Sequence, residues 1–328
     1  LITVGVIGCG YWGPNLIRNF QQNAVSTVKT VSDLREGRLE FINGLYPEIH
    51  TTTNYLEIIN DAEINAVVIA TPVTTHKEIA IQAMRAGKHV FVEKPLTSNT
   101  ADAEELVAVA KELNKIVSVG HIFQFAPAIS AMKREIANGT LGKVFHYSSQ
   151  RINLGPPKTT VDVVWDLAPH DLSIVLYLFG EYPNKVTAHG TSNWWEGYTD
   201  NAHILLDFPS GKTAHIHLSW LSSKKTRRTM LFGENGNFEY DETLPDDKKV
   251  LFFDKGIDNR VNAKDNVNLK YGVGEVRPIE VLKGEPLALE VEAFLEAIKT
   301  GKPPINDGVI GMEVVKILEL ATNAIKGN

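Results

Sequence analysis

Near the start of the chain, Gly8-Cys9-Gly10-Tyr11-Trp12-Gly13 fits the pattern G-x-G-x-x-G. The chemistry served by that spacing is the cradling of a dinucleotide pyrophosphate. Gly8 permits a tight turn, Gly10 lets the backbone approach the anion, and Gly13 allows a helix to pack closely on its strand. The helix N-terminus then offers unpaired N–H groups to the phosphates. Tyr11 and Trp12, inside the loop, are expected to line the same cofactor site. Glycine-rich turns are common, so the string gains its weight from context: it follows the strand Thr3-Val4-Gly5-Val6-Ile7 and precedes a helix opened by Pro14. Asp33 stands at the end of a second strand, roughly 20 to 25 residues further on, where a carboxylate accepts hydrogen bonds from ribose hydroxyls and repels a 2′-phosphate. The plainer alternative is an Asp that ends a strand or caps a helix. Arg35 and Arg38 lie nearby and are compatible with NADP, so NAD is the expected cofactor and NADP the less favoured one.

These residues need a scaffold, and the surrounding sequence supplies one. From Ile2 to about Val119, short β-branched runs alternate with helical periodicity, the pattern of a parallel sheet flanked by helices. Strands are expected at Ile2–Ile7, Thr27–Ser32, Ala66–Ala70, His89–Val92 and Ile116–Val119, and they read as buried on both faces. Helices are expected near Pro14–Gln22, Glu36–Leu45, His76–Ala86 and Thr100–Leu113. After Gly120 the texture changes to a helix around Ala128–Ala137, a strand at Lys143–Asn153 and a helix near Val163–Leu178. The runs Val186–Thr191, Ala202–Asp207, Thr213–Ser219 and Thr229–Phe232 then read as a meander, with turns at Pro209-Ser210-Gly211 and Glu234-Asn235-Gly236-Asn237. Asp246 to Lys270 reads as a polar loop, and helices near Pro286–Lys299 and Gly308–Ala324 follow. The fold class is therefore α/β: a doubly wound Rossmann domain over residues 1–120, then an α+β domain over 121–328 with a large, mostly antiparallel open sheet. The C-terminal helices are candidates to pack back on the first domain. An open sheet needs its apolar face covered, and a homo-dimer or homo-tetramer is the expected cover.

With 328 residues, 43% hydrophobic and 22% charged, and a net charge of −6, the chain has the composition of a globular protein and lacks the basic excess of a nucleic-acid binder. Its one cysteine, Cys9, excludes an intrachain disulfide, and apolar runs such as Ala66 to Ala70 are far too short to cross a bilayer. No charged-then-apolar leader is read before the first strand, and the cytoplasm is the expected compartment. Asp166, His170 and Asp171 offer metal-ligating atoms, but no cysteine cluster or His-Glu-x-x-His arrangement accompanies them, and no metal is expected.

The segment Ala70-Thr71-Pro72, His76, Ala80 and Ala86-Gly87-Lys88-His89-Val90-Phe91-Val92-Glu93-Lys94-Pro95-Leu96 resembles the Gfo/Idh/MocA family, named for glucose–fructose oxidoreductase and inositol dehydrogenase. The resemblance extends to the N-terminal glycines and to Asp166-Leu167-Ala168-Pro169-His170-Asp171, and so covers both domains. It implies the two-domain fold read above and an active site between the domains. It further implies that Lys94 is the active-site lysine, Asp166 a supporting carboxylate and His170 the general acid/base. Those roles make chemical sense. Oxidising a secondary alcohol requires a group to take the hydroxyl proton, and imidazole, with an ordinary pKa of about 6.5, suits that near neutrality. An ammonium beside the same oxygen stabilises developing alkoxide charge. Asp166 and His170 stand at i and i+4, one turn apart on a helix, although Pro169 suggests an irregular start. Taken singly, a lysine after a buried strand is usually an edge charge and an Asp/His pair on a helix a surface ion pair. The resemblance also points to Ala70, Thr71, Pro72, His76 and Glu93 around the nicotinamide, with His76 equally readable as a helix cap. After Gly120 the chain departs from the family's usual polar pattern, carrying Phe123 and Gln124, so His121 and Gln124 stand only as candidate substrate contacts.

The stretch Ser149-Gln150-Arg151-Ile152-Asn153-Leu154-Gly155, with Trp165 to Asp171, resembles the subgroup acting on nucleotide-activated sugars, in particular UDP-N-acetylglucosaminuronate 3-dehydrogenases. Arg151 is a sensible anchor for a carboxylate or phosphate, since its planar fork binds two oxygens at once, or else a strand residue in a structural ion pair. Lys224, Lys225, Arg227 and Arg228 read as a solvated basic turn, with a diphosphate contact as the alternative. Trp194 and Trp195 read as packing or interface residues. The expected function is oxidation of a secondary hydroxyl of a sugar, the 3-hydroxyl of a UDP-N-acetyl-hexosaminuronate or similar nucleotide sugar. Competing readings are a dehydrogenase of a free polyol or aldose, an NAD-dependent glycosidase, and a non-catalytic NAD-binding regulator. Only the last lacks a use for Lys94, Asp166 and His170 together.

Overall fold

The structure, a computed structural model, describes residues 1–155, 161–245, 248–254 and 274–327. It divides into two compact units. The first takes in Leu1–Phe125 and Gly284–Glu319, the second Ala126–Lys283 and the chain from Leu320 onward.

The first unit is built on a six-stranded parallel sheet of β1 (Ile2–Ile7), β2 (Ser26–Ser32), β3 (His50–Thr52), β4 (Ala66–Ile69), β5 (His89–Val92) and β6 (Val117–Val119), in the order β3-β2-β1-β4-β5-β6. Ala66, Val67, Val68 and Ile69 of β4 are all buried, as expected of a strand covered on both faces. The strand order reverses between β1 and β4, which is where a doubly wound sheet opens a crevice at its strand ends. Helices α1 (Gly13–Gln22), α2 (Glu36–Leu45), α3 (Leu56–Asn60), α4 (His76–Arg85) and α5 (Thr100–Glu112) connect the strands. Helix α5 is started by Asn99, whose side chain accepts from the Asp102 N–H. The same unit contains α8 (Pro286–Thr300), held on the sheet by an aromatic triad: Phe20 of α1, Phe91 of β5 and Phe294 of α8 meet edge to face, with centroids 6.0, 6.2 and 5.7 Å apart. Elements β3 and α3 are not anticipated by the sequence reading, because three polar-leaning residues and a single helical turn carry too little periodicity to register.

The second unit contains α6 (Pro127–Ala137), α7 (Val163–Phe179) and an eight-stranded sheet: β7 (Val144–Leu154), β8 (Lys185–Thr191), β9 (Asn201–Asp207), β10 (Thr213–Ser219), β11 (Leu221–Gly233), β12 (Gly236–Asp241), β13 (Val250–Phe253) and β14 (Val276–Pro278). The order is β14-β13-β12-β11-β7-β10-β9-β8, antiparallel except for the parallel pair β7/β10. Alternation along β9 and β10 buries Ala202, Ile204, Leu206, Ala214, Ile216 and Leu218 on the face covered by α7, and turns His203, Leu205, His215 and His217 to the other. The last helix, α9 (Gly308–Lys326), runs through the division of the chain at Glu319/Leu320.

Three expectations change here. The basic run at Lys224–Arg228 is no turn; it lies within β11, which starts at Leu221 and carries a bulge before Thr226. Val250–Phe253, inside the stretch read as a loop, is a strand paired with β12, while 246–247 and 255–270 of that stretch lie outside the described residues. Helix α7 is regular from Val163 despite Pro169: Asp162 caps it by accepting from the Val164 and Trp165 N–H groups, and Gly180 ends it at φ +68°.

Candidate active site

In the first unit the glycine loop is shaped by what it touches. Gly8 has φ +94°, and a Cβ there would stand 2.5 Å from the Ala70 carbonyl oxygen. A Cβ on Gly13 would meet the Gly8 carbonyl oxygen at 2.6 Å, whereas on Gly10 its nearest neighbour would be the tip of Arg35 at 3.4 Å. The first and third glycines therefore serve packing, and the second leaves its backbone open to a ligand. Helix α1 begins with no side-chain cap, Pro14 in its first turn, and so keeps its N-terminal N–H groups available. Tyr11 is 94% exposed at the loop's tip, and Trp12 is half-buried with its indole hydrogen-bonded to Glu93.

Asp33 closes the loop from the second strand. Its Oδ2 accepts from the Cys9 N–H at 2.9 Å, and Arg35 grips both carboxylate oxygens through Nε and Nη2 at 2.9 and 3.0 Å. Burial works to raise the Asp33 carboxyl, but these hydrogen bonds and the Arg35 charge outweigh it and hold the group down at about 2. Arg38 donates to the Cys9 and Gly10 carbonyl oxygens at 2.8 Å each. Both arginines named in the sequence reading thus sit on the loop, and Arg35 lies on the carboxylate itself. Open backbone at Gly10, an uncapped helix start and an ionised Asp33 fit a dinucleotide.

After β4, Ala70 donates to Ile7 O at 2.8 Å, and the Thr71 and Thr75 hydroxyls meet at 2.8 Å over the Pro72 carbonyl. His76, 1% exposed at the start of α4, places Nε2 2.9 Å from Thr71 O and Nδ1 3.0 Å from Pro95 O. The ring ties this turn to the Lys94-Pro95 loop, and burial pulls its pKa down. Glu93 and Lys94 leave the end of β5 together. The Glu93 carboxylate lies where a side chain on residue 120 would be, since a Cβ on Gly120 would approach its oxygens to 2.9–3.0 Å. Burial pushes Glu93 up to about 7, against the opposing charge of Lys94. His121 is fully buried, with no hydrogen-bond partner for either ring nitrogen among the described residues; burial, then the Lys94 charge, pushes it down to about 3, so the ring is neutral. Gln124, also buried, lies in the following 3-10 turn with its N–H on His121 O.

Two further residues in this cluster escaped the sequence reading. Glu290 of α8, 1% exposed, accepts from Asn306 Nδ2 at 3.1 Å, and the same amide donates to Val119 O at 2.7 Å. The signal was present: Leu287, Glu290, Val291 and Phe294 share one buried helical face, and a carboxylate in such a stripe is out of place.

In the second unit, Asp166 (8% exposed) and half-buried His170 lie one turn apart on the same face of α7. Arg151 of β7 had two readings, and the geometry displays the structural one. It is 3% exposed, with Nε on Asp171 Oδ2 at 2.6 Å and Nη1 3.3 Å from Glu242, a carboxylate also held by Arg227 at 2.8 Å. Arg228 pairs with Glu239. No cluster of three metal-ligating side chains occurs among the described residues.

Comparison with known proteins gives these features their family. The model of the oxidoreductase family with an NAD-binding Rossmann fold, GFO_IDH_MocA, matches residues 2–121, and that of the GFO/IDH/MocA C-terminal domain matches 129–239. The chain belongs to the Gfo/Idh/MocA family. It is 27% identical to UDP-N-acetylglucosamine 3-dehydrogenase of Acidithiobacillus ferrooxidans, over 96% of this chain and 94% of that one. It is 29% identical to scyllo-inositol 2-dehydrogenase (NAD(+)) of Bacillus subtilis, over 95% and 92%. A solved structure of the Acidithiobacillus enzyme superposes with a TM-score of 0.84 at 25% identity, covering 99% of this chain and 98% of that one. As a family member the chain is an NAD(P)-dependent dehydrogenase acting on CH–OH donors, with a Rossmann domain and a second, mostly antiparallel sheet.

Proposed function

We infer that this dehydrogenase oxidises a ring hydroxyl of a nucleotide-activated N-acetylhexosamine or its uronate, at the 3-position, with NAD as the cofactor and as a homo-dimer or homo-tetramer in the cytoplasm. The observation that carries the chemistry is the Lys94 cluster at the end of β5, in the same unit as a glycine loop closed by an ionised Asp33. Full-length similarity to a UDP-N-acetylglucosamine 3-dehydrogenase supports the substrate class. Equal similarity to an inositol dehydrogenase favours a free polyol as the second reading. Arg151, held by Asp171 and Glu242, is left out as a carboxylate anchor, which tilts the proposal towards the uncharged hexosamine.

A bound nicotinamide supplies the hydride acceptor. In this reading His170 takes the hydroxyl proton as the carbinol carbon gives up hydride, Asp166 one turn away steadies the imidazolium, and Lys94 stabilises the alkoxide oxygen. His121 is too firmly neutral and enclosed to serve as that base. Gly8, Gly10, Tyr11, Trp12, Gly13, Asp33, Ala70, Thr71, Pro72 and Glu93 are assigned to the cofactor site, with His76 as its tie to the lysine loop.

The test is single-turnover reduction of NAD with UDP-N-acetylglucosamine, its uronate, glucose and myo-inositol. A burst with the nucleotide sugars alone is expected, and a burst with myo-inositol alone would replace the substrate proposal. Lys94→Ala and His170→Ala should each slow hydride transfer by about 10²–10⁴-fold while NADH still binds. Full rates in both would overturn the catalytic assignment.

A further inference from the structure

Glu290 raises a question that neither packing nor the reaction above answers. Its carboxyl lies on the apolar face of α8 with 1% exposure, Oε1 accepts from Asn306, and Oε2 has no hydrogen-bond partner among the described residues. Glutamine would receive the Asn306 amide equally well without the desolvation cost of an ionisable group. A carboxyl retained there makes sense if its proton is used. The facing groups are few. From the end of β5 come Glu93 and Lys94; after β6 comes neutral His121; ahead of α9 lie Asn306 and Asp307, the latter raised by burial; and at the start of α8 stands the exposed Arg18–Glu285 pair. The titratable neighbour whose charge bears on Glu290 is Glu93, and it bears with the same sign.

The Asn306 amide ties Glu290 to the Val119 carbonyl, and Glu93 is packed against the next residue, Gly120, so the two carboxyls lie in one enclosed neighbourhood. Two carboxyls so placed cannot both ionise cheaply, and the pair keeps one proton that leaves in a separate, later step. Asn306 marks Glu290 Oε1 as the carbonyl-type oxygen, which leaves Oε2 to carry that proton. Glu93 is fixed over Gly120 beside Lys94, so the charge of the pair is delivered to the lysine.

We propose that Glu290 is a positioning residue for Lys94, acting through Glu93: the two carboxyls share one proton at neutral pH, and its loss adds a second negative charge that keeps the Lys94 ammonium charged as the solution becomes more basic. The role of Lys94 is taken from the function inferred above, whereas the shared proton stands independently of it.

The experiment has an arm for each part. Infrared titration of the whole protein in its cofactor-bound form reads buried carboxylic-acid C=O bands without any sugar. The native chain is expected to lose such bands in two steps, one near neutrality and one higher. Glu290→Gln should retain a single step. Glu93→Gln should also retain one, displaced by at least about one pH unit below the upper native step, because the like charge is gone. Two unchanged steps in Glu290→Gln, or an unmoved upper step in Glu93→Gln, would overturn the proton-sharing pair; if Glu290→Gln does not fold, the Glu93→Gln arm decides. The second arm is the pH profile of hydride transfer, where Glu290→Gln should move the alkaline limb to lower pH with the sugar KM changed less than about twofold. A uniform drop at every pH, with no shift, would reduce Glu290 to a packing residue. If no sugar is oxidised by the native chain, the failure lies with the dehydrogenase substrate reading, and the infrared arm still decides the pair.

Discussion

The Asp33 carboxylate carries two jobs at one position: it holds the Cys9 N–H of the glycine loop and it receives the fork of Arg35. A ribose with free hydroxyls can share that carboxylate, whereas a 2′-phosphate is repelled by it and attracted by Arg35, whose side chain is 64% exposed while it holds Asp33. The two residues therefore pull cofactor choice in opposite directions. Asp33→Ala should weaken NADH by about tenfold or more and raise the relative affinity for NADPH; Arg35→Ala should cost NADPH more than NADH. Fluorescence titration of both reduced cofactors measures this, and an unchanged NADH-to-NADPH ratio in both variants would sink the assignment. The sign of the linkage also follows. The folded Asp33 carboxyl, at about 2, lies below its ordinary value of 3.8, so its contribution to stability is present above that value and fades as the pH falls towards about 2.

At the scale of elements, α8 does more than its late place in the chain suggests. Its Phe294 completes the triad with Phe20 and Phe91, and its Glu290 reaches the residues around Lys94. Phe294→Ala should destabilise the first unit by about 3–5 kcal/mol, read by denaturant unfolding followed at that unit, with a loss of less than about 1 kcal/mol arguing that α8 is only an accessory layer. Much of this architecture was legible. Buried β-branched runs gave β1, β4 and β5 nearly to the residue, and His89–Val92 and Glu36–Leu45 agree at both ends. Legibility failed where periodicity was too short, at β3 and α3, and where polar residues sit in strands. Lys224, Lys225, Arg227 and Arg228 looked like a turn because cross-strand partners such as Glu239 and Glu242, which neutralise the two arginines, lie in a different part of the sequence. The site shows the same division. The placement of the glycine loop between β1 and α1, and of Asp33 just after β2, was readable because it depends on local spacing, but the ion pairs that enclose Arg151, and the charge that Glu93 exerts on Glu290, depend on neighbours brought up only by folding.

Across the whole molecule, charge and surface set how the protein behaves in solution. A net charge of −6 disfavours nucleic acid, and no helix among the described residues is long and apolar enough to cross a membrane. The sheet of the second unit turns His203, His215 and His217 outward as a stack, His203 lying 4.3 Å from His217 between ring centroids, beside Leu205 at 51% exposure. That face is the expected contact between copies. Sedimentation equilibrium should show a dimer or tetramer at micromolar concentration, and Leu205→Arg should shift it towards the monomer; a native monomer would leave this face without the cover proposed for it. Burial and the neighbouring ring charges push His217 down to about 4, so that ring is neutral under ordinary conditions and brings such a contact no charge to desolvate.

The lone thiol of the chain has a use that catalysis does not require. Cys9 stands inside the glycine loop, fully buried, with burial and then Asp33 pushing its thiol up to about 12. A thiol so enclosed and so seldom ionised is inert to alkylating reagents while the loop is closed. Its rate of modification is therefore a clock for transient opening of that one turn, with no second sulfhydryl to confuse the signal. The protein carries, at the mouth of its nucleotide cradle, a native reporter of how often the cradle breathes.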